Sequence, residues 1–499
     1  MAVAVAPPRS LNGSYVPAGA SPRLYNDDLA PTKERTWGTY SLFAMWMSDV
    51  HSIGGYTFAA GLFFLGLAAW QVGIAMMVGI LVVYGLMLLT GRAGQQTGVP
   101  FPVLARLSFG VSGANLPALI RACIGIAWYG IQTYLASVAL QVLLLGIWPG
   151  LSSLTESKIL GLSQFGWICF LTLSVVQALV MRRGMETVRR FQDYAGPVVY
   201  VAMFLLAGWI LVKSHFNISL NLSHTPLTTG NWILQFATVA ALVVAYFSAL
   251  LLNYCDFSRF APGEKTVRRG TMLGLPVNFA VFSFITVLVT AGSVAVFGSA
   301  LRDPVEIVAR IHSTAVVIVG AIVFTVATVG INLVANYVSP AYDLANVAPD
   351  HIDFRRGGLI TSVLAVVVLP WQIYSSAVAV NYFLGGLGAV LGPLFAIMMV
   401  DYYRVRRGAV DVDDLYRNGP GGAYWYKNGW NPNAVMSFLP AAAVSVPVAL
   451  VSSLHDAAAF SWFIGAGIAG LIYAVISRRT PAYSSQAAGA VGEPTPAAA

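Results

Sequence analysis

Charged side chains are sparse in this chain: Asp, Glu, Lys and Arg make up 10% of its 499 residues, against about 25% in a typical soluble domain. With 57% hydrophobic residues and a mean hydropathy of +0.73, a water-soluble fold is excluded and a polytopic membrane protein is the class that remains. Cysteine is nearly absent. Cys123, Cys169 and Cys255 match neither a metal-ligand nor a disulfide spacing, and read as free thiols in packing positions. Motifs for chemistry are missing as well: there is no HExxH, no GxSxG, and the one close acid–base couple inside an apolar segment is Asp49 with His51. An enzyme is not expected. The excess of basic residues, a net charge of +8, is spread over loops without a stripe or aromatic-interleaved patch, which argues against a nucleic-acid partner.

Apolar segments near the length of about 20 residues that a helix needs to cross a bilayer lie at 37–64, 68–90, 114–147, 161–181, 193–213, 231–255, 271–297, 312–345, 357–375, 378–402, 436–453 and 458–477. They predict an all-α integral membrane protein of twelve spans. Met1 to Thr36 has no apolar run that would serve as a secretory leader. With the first span running outward, Arg and Lys concentrate on one side: Arg23, Lys33 and Arg35, then Arg92, Arg106 and Arg121, then Arg182 to Arg190, Arg259 to Arg269, Arg355 and Arg356, Arg404 to Arg407, and Arg478 and Arg479. By the positive-inside rule both termini are expected in the cytoplasm. The tail after Arg479, rich in Ala, Pro and Ser, reads as disordered.

Two loop segments stand out. Gly98 to Ser112, broken by Pro100 and Pro102, predicts a short interfacial helix between spans two and three. Asp411 to Trp430, with Asp413 and Asp414, reads as a solvated loop.

Polar residues inside the spans are few and therefore informative. In the first span, Ser48, Asp49, His51, Ser52, Gly54 and Gly55 stand where hydrocarbon is expected. An ionised carboxylate at a bilayer centre costs about 3 kcal/mol or more, and a glycine pair beside such groups lets a helix unwind, as transport helices do at a midplane site. His51 and Asp49 are open to two readings: proton exchange near neutral pH, or a capped break and a satisfied packing residue. In span three, Trp128 and Gln132 lie four apart on one helix face; in span eight, Asn332 and Asn336 repeat the spacing. An aromatic ring with amides suits a flat heterocycle, while Gln132 and Asn336 also suit interhelical hydrogen bonding. Asp256 at the end of span six reads as an ion pair or cap. The polar residues gather near the midplane rather than forming a stripe, which favours a carrier over a channel.

Several motifs, in order, resemble the nucleobase:cation symporter-1 family: Tyr25-Asn-Asp-Asp-Leu29, Pro100 to Gly110, Trp128-Tyr-Gly-Ile-Gln132, Asn253 to Arg259, Asn336-Tyr-Val-Ser-Pro-Ala-Tyr342, Pro370-Trp-Gln372, Leu391-Gly-Pro393, Asp401 to Arg407 and Asp414-Leu-Tyr416. The resemblance covers Tyr25 to Arg479. It implies a leucine-transporter-like fold with a five-plus-five inverted repeat: a cytoplasmic tail at 1–36, helices one to five at 37–213, helices six to ten at 231–402, a cytoplasmic loop at 403–435, two C-terminal helices at 436–477 and a tail at 480–499. Spans one and six would be discontinuous, although Ala240 to Leu252 holds no Gly or Pro to announce the second break.

The same resemblance implies the site. A substrate would lie between Trp128 and Phe247, with Tyr246 beside it, held by the amides of Gln132 and Asn336, with Ser52 at a span-one amide position and Leu384 closing the outer side. A coupling cation would sit near Ser48, the carbonyl of Ala327, and Gly330 and Ile331. The last two stand where sodium-coupled relatives have hydroxyls, so a proton, taken by His51 or Asp49, is expected in place of sodium. No cofactor is implied. The partners expected are a small nucleobase or ureide and the lipid bilayer, with uracil favoured over allantoin because Ser52 replaces an Asn. The oligomeric state stays open.

Overall fold

An apolar chain crossing a bilayer must satisfy its backbone within each segment, which leaves helices or a closed barrel. Among the described residues, the computed structural model is helical in its regular structure, apart from a short antiparallel pairing of Lys158–Ile159 with Leu162–Ser163 and an isolated bridge between Lys427 and Trp430. It describes residues 16–477 except Lys33, 220–228, His312 and Ser376; for Thr229 and 377–384 it describes the backbone alone. In chain order the helices are α1 (Thr39–Val50), α2 (Ile53–Leu62), α3 (Ala69–Thr97), α4 (Phe101–Phe109), α5 (Asn115–Ile147), α6 (Gln164–Met181) and α7 (Met185–Lys213). The second half holds α8 (Thr229–Tyr246), α9 (Ser248–Asn253), α10 (Cys255–Ser258), α11 (Glu264–Met272), α12 (Asn278–Phe297), α13 (Pro304–Ala309), α14 (Thr314–Ile331), α15 (Ser339–Val347), α16 (Phe354–Val367), α17 (Pro370–Tyr374) and α18 (Ala377–Val400). The last three are α19 (Pro432–Leu450), α20 (His455–Ala458) and α21 (Ser461–Ile476).

Among the described residues, eight helices are long and apolar enough to cross a membrane, or nine if α20 and α21, bent by 77° with the turn before them, form one span. The first, sixth and ninth of the twelve predicted segments are instead short or interrupted helices. The distribution of side chains is that of a protein in lipid: Trp70, Leu205, Val367 and Leu471 are exposed, whereas Arg106 and Arg121 are fully buried. Lipid accepts the apolar outer faces, and the polar groups turn inward toward one another.

Two loop expectations are corrected. The segment after Pro100 does form a helix, but all nine residues of α4 are buried, so it lies within the protein rather than at an interface. Arg106 explains why: its guanidinium donates to Asn346 Oδ1 at 2.7 Å and to the Leu415 carbonyl at 3.0 Å, which draws α4 between the second half and the loop. That loop is packed too. Asp414, Leu415, Tyr416 and Tyr424 are buried, and the Tyr416 hydroxyl donates to the Leu29 carbonyl at 2.6 Å. The N-terminal segment joins the same layer, with Leu24, Leu29 and Ala30 buried and Asn26 donating to the carbonyls of Pro349 and Ile352. Asp256 accepts from the Phe101 amide at 2.7 Å and from Ser339 Oγ at 3.0 Å; of the two expected roles it takes that of a cap, at the start of α4.

Candidate functional site

Three irregularities in helical backbone meet at the centre of the molecule. The first separates α1 from α2. His51 and Ser52 leave the helix with φ, ψ of −90°, 58° and −108°, 160°. The Ser52 hydroxyl accepts from the Gly55 amide at 2.9 Å, the side-chain cap that satisfies a backbone donor at a helix start. The glycine pair serves close approach: a Cβ on Gly55 would lie 2.7 Å from the Val50 carbonyl, and one on Gly54 3.0 Å from Gln132 Nε2. The second irregularity is a single residue, Phe247, with φ −85° and ψ 0°, between α8 and α9. The third is a run of wide, π-type turns at Asn332–Val338 between α14 and α15, a feature that recurs at functional sites.

Between them lies a cavity with about 390 Å³ of atom-free space, counting the solvent space it opens onto. Asp49 reaches it from α1, Trp128 and Gln132 from α5, and Asn336 from the wide turn; Tyr246 and Phe247 close it at the second break. The remainder of its wall, Ala249, Leu250, Ile331 and Ala335, is apolar. Trp128 and Tyr246 meet edge to face, with ring centroids 6.1 Å apart and planes at 75°. Tyr246 is itself stacked on Phe58 at 4.5 Å and 17°, so the aromatic wall is braced from behind. Gln132 is 1% exposed and its Oε1 has no hydrogen-bond partner among the described residues. Leaving such an acceptor buried costs about 1–3 kcal/mol, and here the acceptor belongs to a residue that lines the cavity.

The two asparagines of span eight divide the work that their spacing left ambiguous. Asn332 Nδ2 lies within 3.1 Å of three acceptors, the Tyr129 carbonyl, Thr133 Oγ1 and Gln177 Oε1, and so joins α14 to α5 and α6. Asn336 donates to Asn332 Oδ1 at 3.1 Å, which anchors its amide while the residue lines the cavity.

His51 lies elsewhere. Its Nδ1 is 2.6 Å from the Tyr56 hydroxyl and its Nε2 is 3.0 Å from Asn278 Oδ1. Asn278 spends its Nδ2 on the carbonyls of Trp46 and Gly274, so its oxygen accepts; Nε2 donates, and Nδ1 accepts from the tyrosine. Tyr200 and Phe282 wall the ring at centroid distances of 4.4 and 5.5 Å. Of the acid–base couple, Asp49 alone lines the cavity. Ser52, whose Oγ accepts the cap bond, is absent from the lining.

The expected cation positions are all buried, but they separate: Ile331 lines the cavity, Ser48 and Gly330 lie where α1, α7 and α14 meet, and Ala327 lies on α14 three residues before Gly330. Ser48 Oγ has no partner there among the described residues. The Gly330 carbonyl accepts from Gln192 Nε2 at 2.6 Å. Gln192 was missed by the sequence reading because Arg189, Arg190 and Asp193 place the hydropathy boundary at 193, whereas α7 starts at Met185. The signal was there as a helical extension of a charged edge. Leu384 falls on α18, but its side chain lies outside the described residues.

The chain has clear relatives. A family model described as "Permease for cytosine/purines, uracil, thiamine, allantoin" matches residues 30–465. The chain is similar to the allantoin permease of Bacillus subtilis, with 38% identity over 468 residues, 92% of this chain and 94% of that one. It is similar to the purine-uracil permease NCS1 of Arabidopsis thaliana, with 34% identity over 475 residues, 92% of this chain and 78% of that one. Among solved structures, Mhp1, a nucleobase-cation-symport-1 family transporter in a closed conformation with bromovinylhydantoin bound, aligns with a TM-score of 0.77 at 25% identity, over 92% of this chain and 98% of that one.

Proposed function

This chain belongs to the permease family for cytosine/purines, uracil, thiamine and allantoin, and from that premise we propose that it imports a flat cyclic ureide or nucleobase by proton symport through alternating access. The observation that carries the proposal is the convergence of both helix breaks and the wide turn of span eight on one cavity with an aromatic wall and two amides. A ring carrying –NH–CO– edges stacks against Trp128 and Phe247, presents its N–H to Gln132 Oε1, and is oriented by Asn336. Leu384 closes the outer side. The chain crosses the plasma membrane twelve times as an inverted repeat with two further helices, and both termini face the cytoplasm.

The substrate is allantoin or a pyrimidine such as uracil. The case for uracil rested on Ser52 as a short hydroxyl facing the ligand; in the fold Ser52 caps α2 and does not line the cavity. Allantoin therefore stands first, in line with the relative at 38% identity. For coupling, Asp49 takes precedence over His51. It lies in the last turn of α1 and lines the cavity, where the unpaired carbonyls of a helix end attract positive charge, while His51 has neutral partners on both ring nitrogens.

The test is thermal stabilisation of the purified protein by allantoin, uracil, cytosine and hypoxanthine, since a specific ligand raises stability by mass action, with Trp128→Ala as control. One compound should stabilise the parent, and Trp128→Ala should lose at least about tenfold in affinity, or about 1.4 kcal/mol. Normal affinity in that variant removes the stacking role. Uptake into liposomes that follows a sodium gradient and ignores a pH gradient removes proton coupling.

A further inference from the structure

Three helices come into close contact around Ser48. A Cβ on Gly196 of α7 would lie 3.5 Å from Ser48 Oγ, and a Cβ on Gly330 of α14 would lie 3.7 Å from Ser48 Cβ and 3.8 Å from Gln192 Oε1. Gln192 stands one turn before Gly196 on α7, so its side chain enters the same junction. It is 1% exposed. Its orientation is fixed by chemistry: the Gly330 carbonyl can only accept, so the end of the amide 2.6 Å from it is Nε2. Gln192 Oε1 then points away from that carbonyl, and both it and Ser48 Oγ lack partners among the described residues.

We propose that Gln192 is a neutral amide clasp occupying the place where a cation would bridge α1 and α14, so that this permease holds the wall of its cavity in place without sodium. The inference deepens the proton-coupled reading above and rests on it. An amide N–H directed at the Gly330 carbonyl supplies the positive partial charge that an ion would otherwise supply, and repels an ion that tries to share that oxygen. Gly330 and Ile331 bring no hydroxyl to replace it. The junction is held by this neutral amide bond from α7 to α14, with Ser48 of α1 packed against it, its Cβ 3.7 Å from where a Cβ on Gly330 would lie. Because Gly330 adjoins Ile331, which lines the cavity, the clasp also positions one wall of the substrate site. Gln192 is a positioning residue in this scheme, with no contact to substrate.

The experiment uses the full-length protein without substrate, so its outcome is independent of which compound is carried. Thermal unfolding is followed in NaCl against choline chloride at equal ionic strength. The parent should show no sodium-specific shift. Gln192→Glu replaces the donor by carboxylate oxygens, and the pair Gln192→Ala/Gly330→Ser removes the amide and returns a hydroxyl to α14; the contacts of 3.5 Å and beyond around a Cβ at Gly330 leave room for it. At least one should gain a sodium-specific rise of about 2 °C or more at 100 mM, the size expected when a ligand binds the folded state alone. A sodium-specific shift in the parent that Gln192→Ala abolishes overturns the proposal and makes Gln192 Oε1 an ion ligand. Folded variants that both ignore sodium also overturn it, because the junction then has no latent cation site.

Discussion

The two breaks that frame the cavity are built differently. Between α1 and α2 two residues leave the helix altogether, and local chemistry holds the gap open: a serine cap, and glycines that allow the Val50 carbonyl and the Gln132 amide to come close. At Phe247 the chain deviates by one residue while hydrogen bonding runs on across it, from the Phe247 amide to the Val243 carbonyl at 3.2 Å and from the Leu251 amide to the Phe247 carbonyl at 2.9 Å. No glycine is involved, and the side-chain bond at the step runs from Ser248 Oγ to the Ala245 carbonyl at 2.6 Å. What surrounds Phe247 is aromatic, with Tyr246 at 5.4 Å and Phe279 at 6.0 Å, both steeply inclined. The first break is written into its own segment, and the second is imposed by packing on a segment with helix-forming sequence. Tertiary context routinely overrides helix propensity in this way.

Substitutions can break this contrast. The largest effect is expected at the packed break: Phe247→Ala removes a ring that is 1% exposed and offers a strong helix former, so stability should fall by about 3–5 kcal/mol and ligand stabilisation should vanish, both read by denaturant or thermal unfolding. Next comes Gly55→Ala, whose new Cβ would meet backbone at 2.7 Å; a forced shift of that kind costs about 1–3 kcal/mol, and affinity should fall with it. The smallest is Ser52→Ala, which loses the cap for about 1 kcal/mol and keeps its ligand, as checked by the same unfolding assay with and without allantoin. If Ser52→Ala proved costlier than Phe247→Ala, the first break would be the fragile one and the contrast would be reversed.

The sequence showed the first break for the reason that made it stable: polar and glycine residues in an apolar run are visible without any knowledge of neighbours. The second break was invisible because part of its surroundings, the ring of Phe279, comes from another helix and no glycine or proline marks the segment itself. The cavity was legible at Trp128, Gln132 and Asn336, residues whose polarity or size is out of place in a span. Asn332 looked equivalent to Asn336 at a four-residue spacing, and only the change of pitch between them separates their surroundings. Gln192 was hidden by a boundary drawn from hydropathy, since α7 continues for two turns into charged sequence before it ends. The burial of α4 was likewise unreadable, because an amphipathic pattern does not say whether the polar side meets water or Arg106 meets Asn346.

The wide turns at Asn332–Val338 carry a consequence for how this protein tolerates change in length. Such a stretch holds an extra residue relative to a regular helix, and each residue of an α-helix advances the side chains by about 100°. Because the stretch absorbs that residue locally, removing one there would restore an ordinary helix with α14 and α15 in their present alignment, and only the side chains inside the stretch, Asn336 among them, would be re-phased relative to Asn332. A one-residue deletion in that stretch is thus expected to change ligand stabilisation more than the stability of the fold.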